Sequence, residues 1–226
     1  TAFALALESG YGSELDLRLT RDRHLVVMHD SSLYRMCGVN RCVEDMTAQE
    51  LADYRLLGTD EPIPFFEQVL ALYNGRLPLI IELKTHRGNA KALTEAAAII
   101  LDSYEGDYCV ESFDPRVLMW LKKNRPQVIR GQLSCYLRRH GAEVDRGTDF
   151  ILRNLLTNFI TRPDFVAYYA YDRKKPSMSL CRTLWQVPEF SWTVQGPKQC
   201  AYLEKQGCTV IFEGFTPQET GPMDNP

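Results

Sequence analysis

Several features that would assign a protein to a class at once are missing from this sequence of 226 residues. No apolar run approaches the roughly 20 residues that a membrane-spanning helix needs, so a transmembrane segment is not expected. Positive charge is not in excess: 26 Lys and Arg stand against 29 Asp and Glu, which argues against a nucleic-acid-binding surface. No glycine-rich GxGxxG turn follows a strand-like run, and this disfavours a dinucleotide-binding fold. The partner must therefore be inferred from a site.

The seven cysteines are odd in number, scattered, and include no CxxC pair. Such a set predicts reduced thiols, not a disulfide framework or a zinc site. The first residues, TAFALALESG, have neither a basic stretch nor a small-residue cleavage site, so they are not expected to be a signal peptide. We expect a cytoplasmic protein, although a chain that begins inside a helix could have lost a leader.

Runs rich in Val, Ile and Leu alternate with helix-like stretches, a pattern typical of a parallel sheet with crossover helices. Because no nucleotide-binding turn is present, we favour an α/β fold of the TIM-type (β/α)8 barrel kind over a doubly wound sheet. No linker or low-complexity segment interrupts residues 1–226, so a single domain is expected. The strand candidates are Ser13–Leu19, Leu25–His29, Leu77–Lys84, Asp107–Phe113, Val128–Leu133, Phe165–Tyr169, Glu189–Val194 and Cys208–Gly214.

Helices are predicted at 47–58, 64–75, 89–104, 114–124 and 196–207. The fourth of these has a clear start, since Asp114 is a capping residue type and Pro115 suits the first helical position. The first two flank a proline-punctuated link and do not fit a simple strand–helix unit. We interpret residues 30–76 as an insertion after the strand that ends at His29.

Acidic residues recur on the predicted strands. In SELDLRL the period of two places Glu14, Asp16 and Arg18 on one face, and in LPLIIELK it places Glu82 and Lys84 together. A solvated strand face is the ordinary interpretation of each motif alone. Inside a barrel, however, unpaired carboxylates are costly, and a cation would remove that cost. Three carboxylates suit one divalent ion, Mg²⁺ or Ca²⁺, and Lys84 suits a phosphate beside it.

The order of motifs along the chain resembles the glycerophosphodiester phosphodiesterase family. The resemblance is carried by AFALALESGYGSELDLRLTRDRHLVVMHD, IPFFEQVLALYNGRLPLIIELK, ESFDP and SWTV. It implies a TIM-type barrel with residues 30–76 inserted between the second and third barrel strands. It also implies hydrolysis of a small glycerophosphodiester, such as glycerophosphocholine or glycerophosphoethanolamine, to glycerol 3-phosphate and an alcohol, in glycerophospholipid metabolism.

Carried over residue by residue, the resemblance assigns Glu14, Asp16 and Glu82 as metal ligands and Lys84 as a phosphate contact. It assigns His29 as a catalytic acid or base, although a lone histidine at a strand end is more often structural. Attack by the neighbouring glycerol hydroxyl through a cyclic phosphate, and direct attack by water, both remain open. The preferred alcohol and the oligomeric state are not predicted.

Later residues carry weaker assignments. Phe113 in ESFDP and Trp192 in SWTV end strands and are candidates for pocket walls that bind substrate, with plain core aromatics as the alternative. Glu111 and Glu213 also lie near strand ends. The final strand, VIFEGFTP, departs from the family's commoner GIITDxP, so the role of Glu213 stays open.

The family pattern also includes a first strand with His-Arg-Gly and a Pro-Glu-Asn-Thr segment, and neither precedes Ala2 in the printed sequence. With them would come a second catalytic histidine, a phosphate-binding arginine and another metal-ligand carboxylate. An HRG triplet occurs at residues 86–88, but in a loop after Lys84. His24 and His140 are interpreted as exposed loop residues. We expect the native protein to contain the first strand, because a barrel without it would expose a long hydrogen-bonding gap.

Two alternatives remain. The chain could be a catalytically incomplete barrel that binds phosphodiesters without hydrolysing them. It could also be a related phospholipase-D-like barrel that acts on lysolipid, of the sphingomyelinase-D type. Those enzymes are secreted and disulfide-bonded, which the cysteine pattern disfavours.

Overall fold

The computed structural model describes residues 1–141 and 144–217, which form eight strands and ten α-helices. The strands are β1 (Ser13–Leu19), β2 (Leu25–Val27), β3 (Leu79–Leu83), β4 (Tyr108–Ser112), β5 (Arg130–Ser134), β6 (Phe165–Tyr169), β7 (Glu189–Val194) and β8 (Thr209–Phe212). The helices are α1 (Ala2–Glu8), α2 (Tyr34–Cys37), α3 (Ala48–Leu51), α4 (Phe66–Tyr73), α5 (Ala90–Leu101), α6 (Pro115–Asn124), α7 (Arg146–Arg153), α8 (Asn158–Thr161), α9 (Pro176–Thr183) and α10 (Pro197–Glu204).

The chain forms two compact units. The first contains Thr1–Gly131 and Ile160–Pro163, and the second contains Gln132–Phe159 and the residues from Asp164 onward. Strand β5 and helix α8 each begin in one unit and end in the other. The expectation of a single domain stays a prediction.

In the first unit the strands lie in the order β2-β1-β3-β4. Strand β1 pairs in parallel with β3, and β3 in parallel with β4. The apolar residues of β1 alternate with its acids, so Leu15 and Leu17 are buried against a core to which α5 and α6 contribute. Gly12 is required where the chain enters β1, because a Cβ there would lie 2.5 Å from the backbone oxygen of Pro78.

The predicted insertion, residues 30–76, has a small core of its own. Leu33, Val43, Met46 and Leu51 are buried together there. Helix α3 begins with a capping box, in which Thr47 and Glu50 satisfy each other's backbone N–H groups. The two predicted helices are present as α3 and α4, although both are shorter than the sequence pattern indicated.

In the second unit β6, β7 and β8 pair in parallel. Glu189, at the start of β7, is buried between two arginines: it accepts hydrogen bonds from Arg173 and from Arg182. Around it, two clusters of buried apolar side chains complete the packing of the unit. The buried charge is therefore paired within the unit.

All eight predicted strand segments form strands, but β2 differs from the expectation. It ends at Val27, not His29, and it pairs antiparallel with β1, with Leu17 opposite Val27. A parallel neighbour needs a crossover of about a dozen residues, whereas only residues 20–24 join the two strands. Thr20 closes this turn, since its N–H donates to the oxygen of His24.

The sequence pattern missed four helices: the short α2 in the predicted insertion, and α7, α8 and α9, which lie in or border the second unit. Asp145 caps α7 through the N–H groups of Gly147 and Thr148, a signal that the sequence did carry. No helix among residues 1–141 and 144–217 is long and apolar enough to cross a membrane.

Candidate active site

The predicted acids lie in one row across the first unit. The register places Asp16 beside Glu82 and Glu82 beside Glu111, and Glu14 lies two residues before Asp16 on the same face. The opposite face of the same strands carries buried leucine, isoleucine and valine side chains. The apolar packing therefore fixes the register, and the register in turn brings four carboxylates together.

The side chains of this acid cluster, Glu14, Asp16, Glu82 and Glu111, lie close to one another. Carboxylate oxygens of Glu14, Glu82 and Glu111 lie within 4.8 Å of one another. The Lys84 Nζ is 2.8 Å from Oε2 of Glu82 and 3.3 Å from Oδ1 of Asp16. Glu82 and Glu111 are only 6% and 1% exposed, so these charges have little access to water. One ammonium group faces four carboxyl groups.

Burial and mutual repulsion act on the pKa values of the cluster. Desolvation, followed by the Asp16 and Glu82 charges, raises the pKa of Glu14 to about 9. The pKa of Glu82 rises to about 7, chiefly because of burial, against the opposing effect of Lys84. Burial raises the pKa of Glu111 well above its usual range. Without added positive charge, the cluster therefore holds protons near neutral pH.

The donor set fits a hard divalent cation. All the converging ligand atoms are carboxylate oxygens, the type that Mg²⁺ and Ca²⁺ prefer. Glu111 Oε2 is buried and has no hydrogen-bond partner among the described residues, which leaves an acceptor aimed into the protein without a donor. A cation held by this cluster would satisfy that oxygen and offset the repulsion.

Glu111 is the residue that sequence reasoning left without a role. Its signal was present, since it occupies the same position near the end of β4 as Glu82 does in β3. The sequence does not show which strands pair or in what register. It is the pairing of β3 with β4 that makes the two carboxylates neighbours.

His29 follows β2 by two residues and its side chain is 62% exposed. The hydrogen bond from Met28 N–H to the oxygen of Asp16 holds the adjacent backbone beside the acid cluster. The Arg18 guanidinium donates to the His29 carbonyl oxygen at 2.6 and 3.0 Å, which fixes the position of the residue. Arg18, which lies on the same strand face as Glu14 and Asp16, therefore holds the backbone of the predicted catalytic residue His29 in place.

The His29 imidazole is oriented by its neighbour in the sequence. Nδ1 lies 2.7 Å from Oδ1 of Asp30, and Arg35 Nε donates to the other oxygen of Asp30 at 2.6 Å. These contacts hold the pKa of Asp30 at about 2, with the Arg35 hydrogen bond as the largest cause. An ionised carboxylate only accepts, so Nδ1 carries the proton and Nε2 is left for other chemistry.

The two predicted aromatic walls lie in different units. The Lys84 Nζ is 5.8 Å from the centroid of the Phe113 ring, so Phe113 borders the acid cluster. Trp192, on β7 of the second unit, packs against Tyr169 with ring centroids 5.3 Å apart. Glu213, after β8, is exposed and accepts a hydrogen bond from Gln195.

The HRG triplet and His24 lie in loops, as predicted, whereas His140 ends a short 3-10 helix, Leu137–His140, and is exposed. Arg87 of the HRG triplet is paired with Asp45 on the surface. His24 is exposed and lies edge-on to Phe65. His140 also contacts an aromatic ring, that of Tyr169, at 4.5 Å between centroids.

Residues 1–215 match the model of the glycerophosphoryl diester phosphodiesterase family. The chain belongs to this family. A glycerophosphodiester phosphodiesterase from Bacillus altitudinis is 37% identical over 89 residues, which is 39% of this chain and 34% of that protein. Lysophospholipase D GDPD1 from Rattus norvegicus is 29% identical over 107 residues, 42% of this chain and 33% of its own length. The matched stretches span 33% to 58% of the length of the curated relatives.

Among solved structures, the Oleispira antarctica phosphodiesterase OLEI02445, in complex with the product sn-glycerol-3-phosphate, superposes with a TM-score of 0.76. The likeness covers 93% of this chain and 84% of that one at 16% identity. It shows the fold, a TIM-type (β/α)8 barrel, as the alternation of strands and helices predicted.

Proposed function

We propose that this protein hydrolyses glycerophosphodiesters to sn-glycerol 3-phosphate and an alcohol. The observation that carries the proposal is the buried acid cluster with Lys84 at its centre. Family membership supports the reaction, and the product bound to the Oleispira relative supports the glycerol 3-phosphate half of the substrate. Substrates with a small alcohol, such as glycerophosphocholine or glycerophosphoethanolamine, are the expected class.

Glu14, Asp16 and Glu82 are the proposed metal ligands, and Glu111 is added to them on the strength of its unsatisfied oxygen. When bound, one Mg²⁺ or Ca²⁺ ion would supply positive charge that stabilises the negative charge on the phosphate oxygens in the transition state.

Lys84 binds the substrate phosphate in this proposal. Its side chain is 15% exposed, and burial works to lower its pKa while Glu82 and Asp16 raise it more, so it stays charged. The Phe113 ring lies on the same side of the cluster, with its centroid 5.8 Å from this ammonium. A phosphate oxygen can therefore meet a full positive charge at a poorly hydrated position.

His29 is the proposed general acid or base. Because the Nδ1–H group donates a hydrogen bond to Asp30, Nε2 is the atom that takes a proton from the attacking group or gives one to the leaving oxygen. The exposed ring is accessible to a substrate. The partner histidine expected from the family's first strand stays a prediction, as do the role of Trp192 and the cytoplasmic location.

The test is release of glycerol 3-phosphate from glycerophosphocholine by the full-length protein, with and without chelator. We expect chelator to abolish release and Mg²⁺ or Ca²⁺ to restore it. His29→Ala should lower kcat by a factor of about 100 or more. His24→Ala is the matched control, since it removes another exposed histidine of the same unit. Release that survives both chelator and His29→Ala would disprove the proposal.

A second candidate is hydrolysis of lysophospholipids between phosphate and alcohol. It is favoured by the relative from Rattus norvegicus, which is named lysophospholipase D. The same assay with lysophosphatidylcholine decides between the two. A higher kcat/KM on the lysolipid than on glycerophosphocholine would make the lysolipid the principal substrate.

A further inference from the structure

A second concentration of charge lies wholly within the second unit and has the opposite sign. It surrounds a cleft of about 400 Å³, a size within the range of small-molecule sites. The residues that line this basic cleft are Tyr136, Arg138, Arg139, Arg146, Asp149 and Arg153.

Two elements supply the arginines. The 3-10 helix Leu137–His140, which follows β5, carries Arg138 and Arg139. Helix α7 carries Arg146, Asp149 and Arg153 at a spacing that places them on one face. The cleft is thus formed by two consecutive helical segments, not by arginines scattered on a surface.

Tyr136 lies at the centre of these cations. The Arg139 guanidinium is 4.1 Å and the Arg153 guanidinium 5.2 Å from its ring centroid, and the Lys175 Nζ is 3.7 Å away. Lys175 is only 7% exposed, and its ammonium also donates to the Arg153 carbonyl oxygen at 3.1 Å. Cation–π contacts therefore hold three positive charges around one ring.

Of the acids that the structure describes here, Asp149 offsets one of these cations and the others have different partners. Asp149 pairs with Arg153, Asp145 caps α7, and Asp172 accepts from the Tyr136 N–H. Among residues 1–141 and 144–217, no carboxylate pairs with the guanidinium group of Arg138, Arg139 or Arg146. Burial, followed by the Arg153 charge, lowers the pKa of Lys175 to about 8.

We infer that the basic cleft binds a phosphate group through the guanidinium groups of Arg138, Arg139 and Arg146. Guanidinium groups match phosphate oxygens with two parallel hydrogen bonds, and several unpaired ones around a cleft favour an anion with two negative charges. The phosphate can belong to a soluble phosphomonoester or to an anionic lipid headgroup. The inferred site uses none of the residues proposed for catalysis, and it therefore goes beyond the proposed function.

Calorimetric titration of the full-length protein with inorganic phosphate tests the inference, in the presence of chelator. We expect the double variant Arg138→Ala, Arg146→Ala to raise the Kd at least about tenfold, because each lost contact is a charge-assisted hydrogen bond. The double variant Lys198→Ala, Lys205→Ala is the matched control: it removes two exposed cations of the same unit and should leave the Kd within about twofold. Arg138→Lys, Arg146→Lys should restore only part of the affinity, since an ammonium lacks the planar pair of donors.

Lys84→Met separates this site from the proposed active site. We expect it to leave the phosphate titration unchanged, whereas loss of binding in this variant alone would place the phosphate at the acid cluster and overturn the inference. Equal losses in the arginine and lysine double variants would also overturn it, because they would show attraction by net charge only. Thermal unfolding of each variant checks the fold, and the single substitutions Arg138→Gln and Arg146→Gln decide the matter if the double variant is unfolded.

Vesicle sedimentation separates the two sources of phosphate. Phosphatidylcholine vesicles with and without phosphatidic acid are mixed with the wild type and with the two double variants. Binding that requires phosphatidic acid and is lost only in the arginine variant supports a lipid headgroup. Phosphate affinity without vesicle binding supports a soluble phosphomonoester, and absence of both kinds of binding overturns the inference.

Discussion

The acid cluster of the first unit and the basic cleft of the second unit are both unbalanced in charge, but they differ in burial. Glu82 and Glu111 are nearly inaccessible to solvent and lie on rigid strands, with one ammonium group among four carboxyl groups. Arg138, Arg139 and Arg146 are exposed and lie on short helical segments, where water solvates them.

The difference in burial determines how the repulsion between like charges is relieved at each site. A buried carboxylate must be protonated or bind a cation, because desolvation penalises the charged form. The raised pKa values of Glu14 and Glu82 follow from that. Exposed arginines keep their charge at little cost, and they attract an anion without requiring one. We therefore expect substitutions in the acid cluster to have large effects and substitutions in the basic cleft small ones.

The largest effect is expected from Glu82→Gln. It removes a proposed metal ligand and the nearer partner of Lys84 while keeping the shape of the side chain. We expect kcat/KM for glycerophosphocholine to fall about a thousandfold, of the order seen when a main stabiliser of transition-state charge is lost. Steady-state kinetics measure it. Asp45→Asn is the control, since Asp45 is an exposed carboxylate of the same unit and its ion-pair partner, Arg87, is outside the acid cluster. Comparable losses in both variants would contradict the assignment.

The acid cluster was accessible to sequence reasoning because strands alternate strictly. The period of two in SELDLRL and LIIEL placed Glu14, Asp16 and Glu82 on one face, and the structure has them there. The neighbourhood of Glu111 required the pairing of β3 with β4. The apolar run before His29 indicates a strand but not its direction, which follows from the short turn at residues 20–24.

The basic cleft was not accessible in the same way. Arg138 and Arg139 are adjacent in the sequence, and such pairs are common on surfaces. The convergence of Arg139 with Arg153 and Lys175 depends on Tyr136, whose ring contacts cations from elements that no short-range period links. A site that depends on contacts between separate elements is therefore harder to predict from sequence than one set by the alternation of residues along a strand.

The ion pairs of Glu189 in the second unit give the second largest expected effect. Glu189 lies between Arg173 and Arg182, and although burial opposes it, their hydrogen bonds lower the pKa of its carboxyl group. Glu189→Gln leaves the buried Arg173 without its ion partner, so we expect a loss of about 3 kcal/mol in the free energy of unfolding. Urea denaturation measures it, with the exposed Glu204→Gln expected to change stability by less than about 0.5 kcal/mol.

The ion pairs of Glu189 also make the free energy of unfolding depend on pH. Because the folded pKa of Glu189 is depressed, its contribution is fully present above the ordinary value of 4.5 and is lost as the pH falls below it. The difference in stability between wild type and Glu189→Gln should therefore shrink in acid. A constant difference at every pH would show that the pairing of charges does not cause the effect.

Cation binding should come next in size. At a concentration about 100 times the Kd, a ligand that binds only the folded state stabilises it by about 2.7 kcal/mol. We expect Mg²⁺ or Ca²⁺ to raise the unfolding temperature of the wild type, and Glu111→Gln to reduce this shift because it replaces a charged ligand with a neutral one. The variant Arg138→Ala, Arg146→Ala should show the full shift. A cation effect that Glu111→Gln leaves intact would remove Glu111 from the proposed ligand set.

The smallest effect concerns the basic cleft without a ligand. Arg138→Ala, Arg146→Ala removes two cations that have no ion pair among the described residues, and it lowers their repulsion with Arg139 and Arg153. We expect the free energy of unfolding to rise by less than about 1 kcal/mol at low salt. The gain should vanish at about 1 M salt, where the screening length falls to roughly 3 Å.

Added phosphate should reverse the order of stability of the two proteins, because it stabilises the wild type and not the variant. Denaturation at two salt concentrations, with and without phosphate, measures both differences. A variant that is less stable than the wild type at low salt without phosphate would contradict the prediction. It would show that the two arginines stabilise the fold by packing more than they destabilise it by charge repulsion.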